Sequence, residues 1–205
     1  MSTPKSTIEP ISAPLSVLAQ AKLPTQYGEF DLYAFPNAMG AEPHLALVYR
    51  SDSKDIPLVR VHSECLTGDV FSSTKCDCEA QLHFGLSQIS QAQTGILIYL
   101  RQEGRGIGLV EKIKAYALQD QGLDTIQANL ELGHLVDARN FAVAADILKA
   151  LKINKIKLIT NNPQKQQALS TEGIDVIDVM PTPRFETAQN KAYLDLKSLK
   201  MGHKL

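Results

Sequence analysis

From residue 27 onward the apolar positions recur with a short period. "YGEFDLYAF" (27–35) and "HLALVYR" (44–50) mix apolar, aromatic and β-branched residues over short spans, the composition of strands. "SDSKDIP" (51–57) reads as a turn and "LVRVHS" (58–63) as the next strand. From Cys76 to Gln91 the period lengthens, with Leu82, Leu86 and Ile89 at helical spacing. "TGILIYL" (94–100) is a continuous apolar run of the kind found in buried strands. It passes through "RQEGRGIGL" (101–109) into a helix over "VEKIKAYALQDQG" that stops at Gly122. "DARNFAVAADILKALKI" (137–153) predicts a second amphipathic helix, and "KIKLIT" (155–160) a strand. "NNPQKQQALSTEG" (161–173) predicts a capped helix closed by Gly173, "IDVIDVM" (174–180) a strand, and "AYLDLKSLKMG" (192–202) a closing helix.

Strands alternating with helices through residues 95–180 imply an α/β fold (α+β-like) with at least one right-handed crossover. The hairpin-rich N-terminal part adds antiparallel strands, so a mixed β-sheet flanked by helices is expected. No linker interrupts residues 21–205, which read as one domain. Residues 1–20 contain three prolines and no apolar core of signal-peptide length, and read as a disordered tail.

Composition narrows the function classes. The net charge of −1 offers no global basic field for nucleic acid or an anionic membrane, so an anionic ligand needs locally placed Arg and Lys. No apolar run approaches the roughly 18 residues of a membrane span, and a cytoplasmic protein is expected. A reducing cytoplasm and an odd number of cysteines both argue against disulfides.

All three cysteines, Cys65, Cys76 and Cys78, lie in "CLTGDVFSSTKCDCEAQ" (65–81). Thiolates bind zinc readily, and three of them leave one tetrahedral position open. Three-cysteine zinc sites activate water in nucleobase deaminases, where a nearby Glu moves the proton. Here Glu64 directly precedes Cys65. A fourth ligand such as His62 or His83 would instead make the zinc structural, and buried thiols without metal are the third reading.

Two strand-to-helix junctions suit anions. In "NNPQK", Asn162 fits an N-cap, Pro163 the first helical position, and Lys165 the first turn. "RQEGRGIGL" supplies Glu103, Gly104 and Arg105 at another helix start. Both junctions fall at strand ends, where open α/β sheets bind ligands. Tyr116, Asp137, Arg139 and His134 are weaker candidates when taken singly.

Together, "RVHSECLTGD", "KCDCEAQL", "RQEGRGIGL", "YALQDQG", "LITNNPQK" and "KMGHKL" resemble GTP cyclohydrolase II, the first enzyme of riboflavin biosynthesis, over about residues 20–205. The resemblance implies one zinc held by Cys65, Cys76 and Cys78. It also implies hydrolytic opening of the guanine ring of GTP at C8, with loss of formate and pyrophosphate. It assigns nucleotide contacts to Arg60, Val61, His62, Ser63, Glu64, Gln81, Glu103, Gly104, Arg105, Thr125, Thr160 and Lys165. Asp137 becomes the proton acceptor, Arg139 the proposed nucleophile and Tyr116 the tyrosine of ring opening, with Mg²⁺ on the triphosphate and a homodimer as the assembly. An arginine nucleophile sits uneasily with a guanidinium protonated to pH above about 12, and an electrostatic phosphate clamp is the rival role. Where the family usually has Arg before and Gly after the C-x-C, this chain has Lys75 and Glu79.

Overall fold

The computed structural model describes residues 15–38, 40, 42–50, 54–135 and 137–202. Among the described residues, seven strands form one mixed sheet: β1 (Ala19–Thr25), β2 (Gly28–Phe35), β3 (His44–Tyr49), β4 (Leu58–Ser63), β5 (Gly95–Leu100), β6 (Lys155–Ile159) and β7 (Asp175–Met180). Their order is β1-β2-β3-β5-β4-β6-β7. The β1–β2–β3–β5 side is antiparallel, whereas β5, β4, β6 and β7 run parallel. The helices are α1 (Leu66–Asp69), α2 (Cys78–Gln91), α3 (Leu109–Asp120), α4 (Thr125–Glu131), α5 (Ala142–Ala150), α6 (Pro163–Thr171) and α7 (Lys191–Met201).

The sheet carries apolar clusters on two sides. Val59, Val61, Ile96 and Ile98 pack with Ile147 and Leu148 of α5 and Leu169 of α6, all buried. Phe30, Ile89 and Leu97 form the other cluster, with Leu82 and Leu86 of α2 against it. Covering on both faces explains why β5 reads as a continuous apolar run, and it buries Arg60 and His62 between the apolar residues of β4.

Three elements depart from the expected pattern. The helix expected from Asp137 begins at Ala142, because side-chain oxygens capture the preceding backbone: Asp137 Oδ1 accepts from Arg139 N at 3.1 Å, and Asn140 Oδ1 from Ala142 N at 2.9 Å. Strand β1 is largely exposed, so its sequence shows little apolar alternation, yet it pairs with β2 from Ala19 to Thr25. It therefore includes Ala19 and Gln20 of the expected tail, and Leu15 packs on the core, while residues 1–14 lie outside the described residues. Helix α4 is set by a capping box: Asp124 accepts from Gln127 N at 2.8 Å and Gln127 Oε1 accepts from Asp124 N at 2.9 Å. Residues 51–53 of the expected turn and 203–205 of the C-terminal motif are outside the described residues.

Candidate active site

The parallel strands place their carboxyl ends together. β4 leads into Glu64 and Cys65, β5 into Arg101–Gly108, and β6 into Thr160–Asn162. A cleft of about 390 Å³ opens there, within the usual range for small-molecule sites of roughly 300–1,000 Å³. Sulfur aside, its lining among the described residues has six basic residues, Arg60, Lys75, Arg105, Lys112, Arg139 and Lys165, against four acidic ones, Glu64, Glu103, Asp120 and Asp124. A chain of net charge −1 thus concentrates positive charge where the strands end.

Cys65, Cys76 and Cys78 gather at one wall, their Sγ atoms all within 4.8 Å of one another. Cys65 and Cys76 sulfurs are 3.7 Å apart, close to the roughly 3.8 Å that two thiolates span on tetrahedral zinc with Zn–S bonds of about 2.3 Å. Short helix α1 passes close by because Gly68 has no side chain. A Cβ there would lie 2.8 Å from Cys76 Sγ and 3.3 Å from Cys65 Sγ. Hydrogen bonds from Cys76 and Cys78 hold Cys65 far below the ordinary thiol range, while the same sharing pushes Cys76 up to about 11. The donor set and its spacing fit zinc. Neither histidine considered as a fourth ligand joins the cluster. His62 Nε2 lies 3.0 Å from Asp69, and His83 Nδ1 lies 2.8 Å from the Tyr27 hydroxyl.

The last residues of β4 are fixed from below. Arg60 is buried, donating to Ile159 O at 3.2 Å and Gln81 Oε1 at 2.6 Å, and burial lowers its pKa to about 10. Gln81 in turn donates to Asp77. Asp69 accepts from the Tyr99 hydroxyl at 2.8 Å and from Cys65 N at 3.0 Å, and it also holds His62, whose ring stacks on Tyr99 at 5.5 Å. Burial keeps His62 below its ordinary pKa. Glu64 accepts from Arg101 at 2.6 Å, and burial raises its pKa. Ser63 lines the cleft, but the Val61 side chain points into the core and only its carbonyl participates, accepting from Lys165 Nζ at 2.7 Å.

After β5 the chain turns through Gly104 (φ 61°), Arg105 (φ 63°), Gly106 (φ 92°) and Gly108 (φ 87°). A left-handed arginine costs of order 1 kcal/mol or more, and this one is held by Ala138 N donating to its carbonyl at 3.0 Å. That bond, with Gln102 Nε2 to Asn140 O at 2.7 Å, brings the Asp137–Arg139 segment against the loop. Arg139 makes a bidentate pair with Asp137, at 2.8 and 2.5 Å. Burial pushes the Asp137 carboxyl up, but the bonds from Arg139 outweigh it and leave the pKa lowered. Arg139 lines the cleft, whereas Asp137 stands behind it. Tyr116, on α3, has its hydroxyl 3.4 Å from Thr67, and burial pushes the phenol up to about 12. Thr125 at the start of α4, Thr160 and Lys165 complete the wall.

The residues at the two departures are accommodated. Lys75 donates to Asp120 at 2.7 Å and lies 4.9 Å over the Tyr116 ring. Glu79 sits in the first turn of α2, in ordinary helical backbone, with its carboxylate accepting from Ser72 Oγ at 3.0 Å.

Several residues of the site were not anticipated. Lys112 donates to Cys65 Sγ at 3.1 Å, though its place in "VEKIKAY" looks like an ordinary exposed helix position. Asp69 and Tyr99 anchor the β4 end, and Gln189, Tyr193 and Leu196 bring the C-terminal helix to the cleft. The Tyr193 ring lies 5.9 Å from the Arg105 guanidinium. Only the "CLTGD" motif gave a signal for Asp69; no local pattern marks the others.

A mixed α/β fold with three thiols able to hold a metal beside a basic cleft defines a class of proteins with a metal-and-anion site, and comparison with known proteins narrows it. A profile of GTP cyclohydrolase II matches residues 16–181. The chain is 50% identical to GTP cyclohydrolase-2 of Histophilus somni (strain 2336) over 190 residues, 92% of this chain and 88% of that protein. It is also 50% identical to GTP cyclohydrolase-2 of Buchnera aphidicola subsp. Acyrthosiphon pisum over 192 residues, 93% of this chain and 99% of that protein. The figure for Escherichia coli O45:K1 GTP cyclohydrolase-2 is 49% over 192 residues, 93% and 98%. This chain belongs to the GTP cyclohydrolase II family of enzymes. A solved two-domain 3,4-dihydroxy-2-butanone 4-phosphate synthase from A. baumannii is similar at 23% identity and a TM-score of 0.45, over 83% of this chain and 41% of that one, too distant to carry weight.

Proposed function

We propose that the enzyme hydrolyses GTP, opening the guanine imidazole ring at C8. Formate and pyrophosphate leave, and 2,5-diamino-6-ribosylamino-4(3H)-pyrimidinone 5′-phosphate remains, as in the first step of riboflavin biosynthesis. The observation that carries this reading is the set of three thiols at one wall of a basic cleft, in a chain of this family. Zinc, when held by Cys65, Cys76 and Cys78, supplies a Lewis acid with one place for water.

The protein's own groups fall into three roles. Glu64 and Gln81 orient the guanine edge; each is already steered by an arginine, Arg101 and Arg60, and a carboxylate keeps acceptor capacity beyond one such bond. His62 and Ser63 line the same end. Arg105, Arg139 and Lys165 meet the triphosphate with its Mg²⁺, Lys165 steadied by the Val61 carbonyl, and Glu103 and Gly104 shape the loop that carries Arg105. Thr125 and Thr160 line the wall, the Thr160 hydroxyl accepting from Asn162 N at 3.0 Å. Tyr116, its phenol protonated at neutral pH, offers an O–H hydrogen-bond donor to the ring as it opens. The bidentate bond to Asp137 favours Arg139 as an electrostatic clamp over a nucleophile, because a paired carboxylate stabilises the protonated guanidinium.

The catalytic unit is read as the folded part of the chain, acting in the cytoplasm as a homodimer. The exposed apolar residues Val110 and Ile113 on α3 and Leu130 on α4 support a second copy as partner. The test is incubation of the purified protein with GTP and Mg²⁺ while formate and pyrophosphate are both measured. Equal yields of the two support the reading. Pyrophosphate without formate moves the assignment to a related nucleotide hydrolase, and tight GTP binding without turnover moves it to a binding module.

A further inference from the structure

Lys112 stands out among the groups that this mechanism leaves unused. It is 8% exposed, on the inner face of α3. Its ammonium touches two anionic groups at once: Cys65 Sγ at 3.1 Å and Glu103 Oε1 at 2.8 Å. Glu103 is itself consumed by the loop it begins, accepting from Leu66 N at 2.6 Å through one oxygen and from Gly104 N at 2.7 Å through the other. Leu66 is the residue after Cys65, so Lys112 and Glu103 grip the cysteine from both sides of its peptide. The aliphatic stem is part of the fit, since a Cβ on Gly104 would come 3.1 Å from Lys112 Cβ. The Tyr116 ring lies 5.7 Å from the ammonium.

A buried lysine at this place is costly unless its charge is needed, because removing an ammonium from water carries a penalty of several kcal/mol. Two anionic partners within hydrogen-bonding distance meet that need. Three thiolates around a divalent metal leave a formal charge of about −1, which an adjacent ammonium offsets locally, while Glu103, bonded by Leu66 N and Gly104 N, holds that ammonium in place. We propose that Lys112 is a positioning residue for the metal centre. Its N–H···S bond fixes the Cys65 sulfur and draws electron density from it, and its bond to Glu103 ties that sulfur to the Gly104–Arg105 loop. The inference rests on the zinc reading above. It adds a partner outside the ligand set, of the kind whose loss typically costs about 10- to 100-fold in metal affinity.

The test uses the full chain with Co²⁺ in place of zinc, together with competition for Zn²⁺ by a chromophoric chelator. Lys112→Met is expected to move the sulfur-to-cobalt charge-transfer band to longer wavelength and to weaken zinc binding by about 10- to 100-fold. Lys112→Arg, which keeps charge and donors, is expected to restore much of both. Should Lys112→Met not fold, Lys112→Gln, with a shorter neutral donor, carries the same comparison. A wild type that binds Co²⁺ through sulfur, with a variant matching it in band position and zinc affinity, overturns the inference and leaves the zinc reading standing. A wild type that takes up neither metal overturns both.

Discussion

Gly68→Ala is a one-carbon perturbation aimed at the cysteine cluster. The added Cβ would sit 2.8 Å from Cys76 Sγ, 3.0 Å from Cys78 Cβ and 3.3 Å from Cys65 Sγ. Non-bonded heavy atoms prefer about 3.5–4.0 Å, so the Cys76 sulfur must retreat by about 0.7 Å or more. Metal sites hold their ligands to within about 0.2 Å of ideal distances. The backbone itself raises no objection, since Gly68 has no positive φ and lies in helix α1. Overpacking costs about 1–3 kcal/mol, and the helix preference for Ala returns at most about 1 kcal/mol. The net cost of up to about 2 kcal/mol should therefore lower the melting temperature of the metal-free variant by up to about 8 °C, at about 2–4 °C per kcal/mol for a chain of this size. Zinc affinity should fall at least about tenfold, equivalent to about 1.4 kcal/mol. Differential scanning fluorimetry and chelator competition read the two effects separately. Unchanged zinc affinity with an unchanged melting temperature would refute the reasoning, because it would mean that the three sulfurs do not need the space that Gly68 leaves.

Other outcomes follow from the same geometry. Asp137 has its folded pKa below the ordinary 3.8, so its pair with Arg139 contributes stability that is complete above about pH 4–5 and is lost as pH falls through the lowered value. Asp137→Asn should accordingly flatten the melting temperature's dependence on pH below about 4, and an unaltered acid limb would contradict the pairing. Arg139→Lys should keep measurable turnover with a raised KM for GTP if the guanidinium is a clamp; complete loss with unchanged binding would favour the covalent role. Tyr193→Ala should raise KM by about two- to fivefold through the loss of a ring beside Arg105, with Tyr193→Phe near wild type. Ile98→Ala, at a fully buried position in β5, should cost about 2–5 kcal/mol in urea unfolding without changing metal content.

Much of the architecture was legible because β5 is buried on both faces and its apolar run, "GILIYL", is unbroken, and because short strands alternate with helices beyond it. Strand β1 was not, because its partner β2 defines it through backbone pairing and its side chains are mostly exposed. The N-terminal boundary of α5 was misplaced because Asp137 and Asn140 resemble helix-start residues while their side chains stabilise a non-helical approach. At the site, the cysteines and the arginine- and lysine-bearing loops were readable from motifs. Lys112 was not, since only the packing of α3 against the loop after β5 turns a helix lysine inward. Tyr193 was equally hidden, as the distance that brings it to Arg105 spans most of the C-terminal half. Glu79, where the family usually has Gly, needs no glycine backbone, since it lies in the first turn of α2 without a positive φ and its carboxylate accepts from Ser72.

The most direct test measures zinc content and formate production in the same purified sample as zinc is removed stepwise by a chelator and then restored. The account predicts about one zinc per chain, formate yield proportional to zinc retained and recovery on restoration, with Cys76→Ser lacking both. Undiminished formate from zinc-free protein, or from Cys76→Ser, would contradict it.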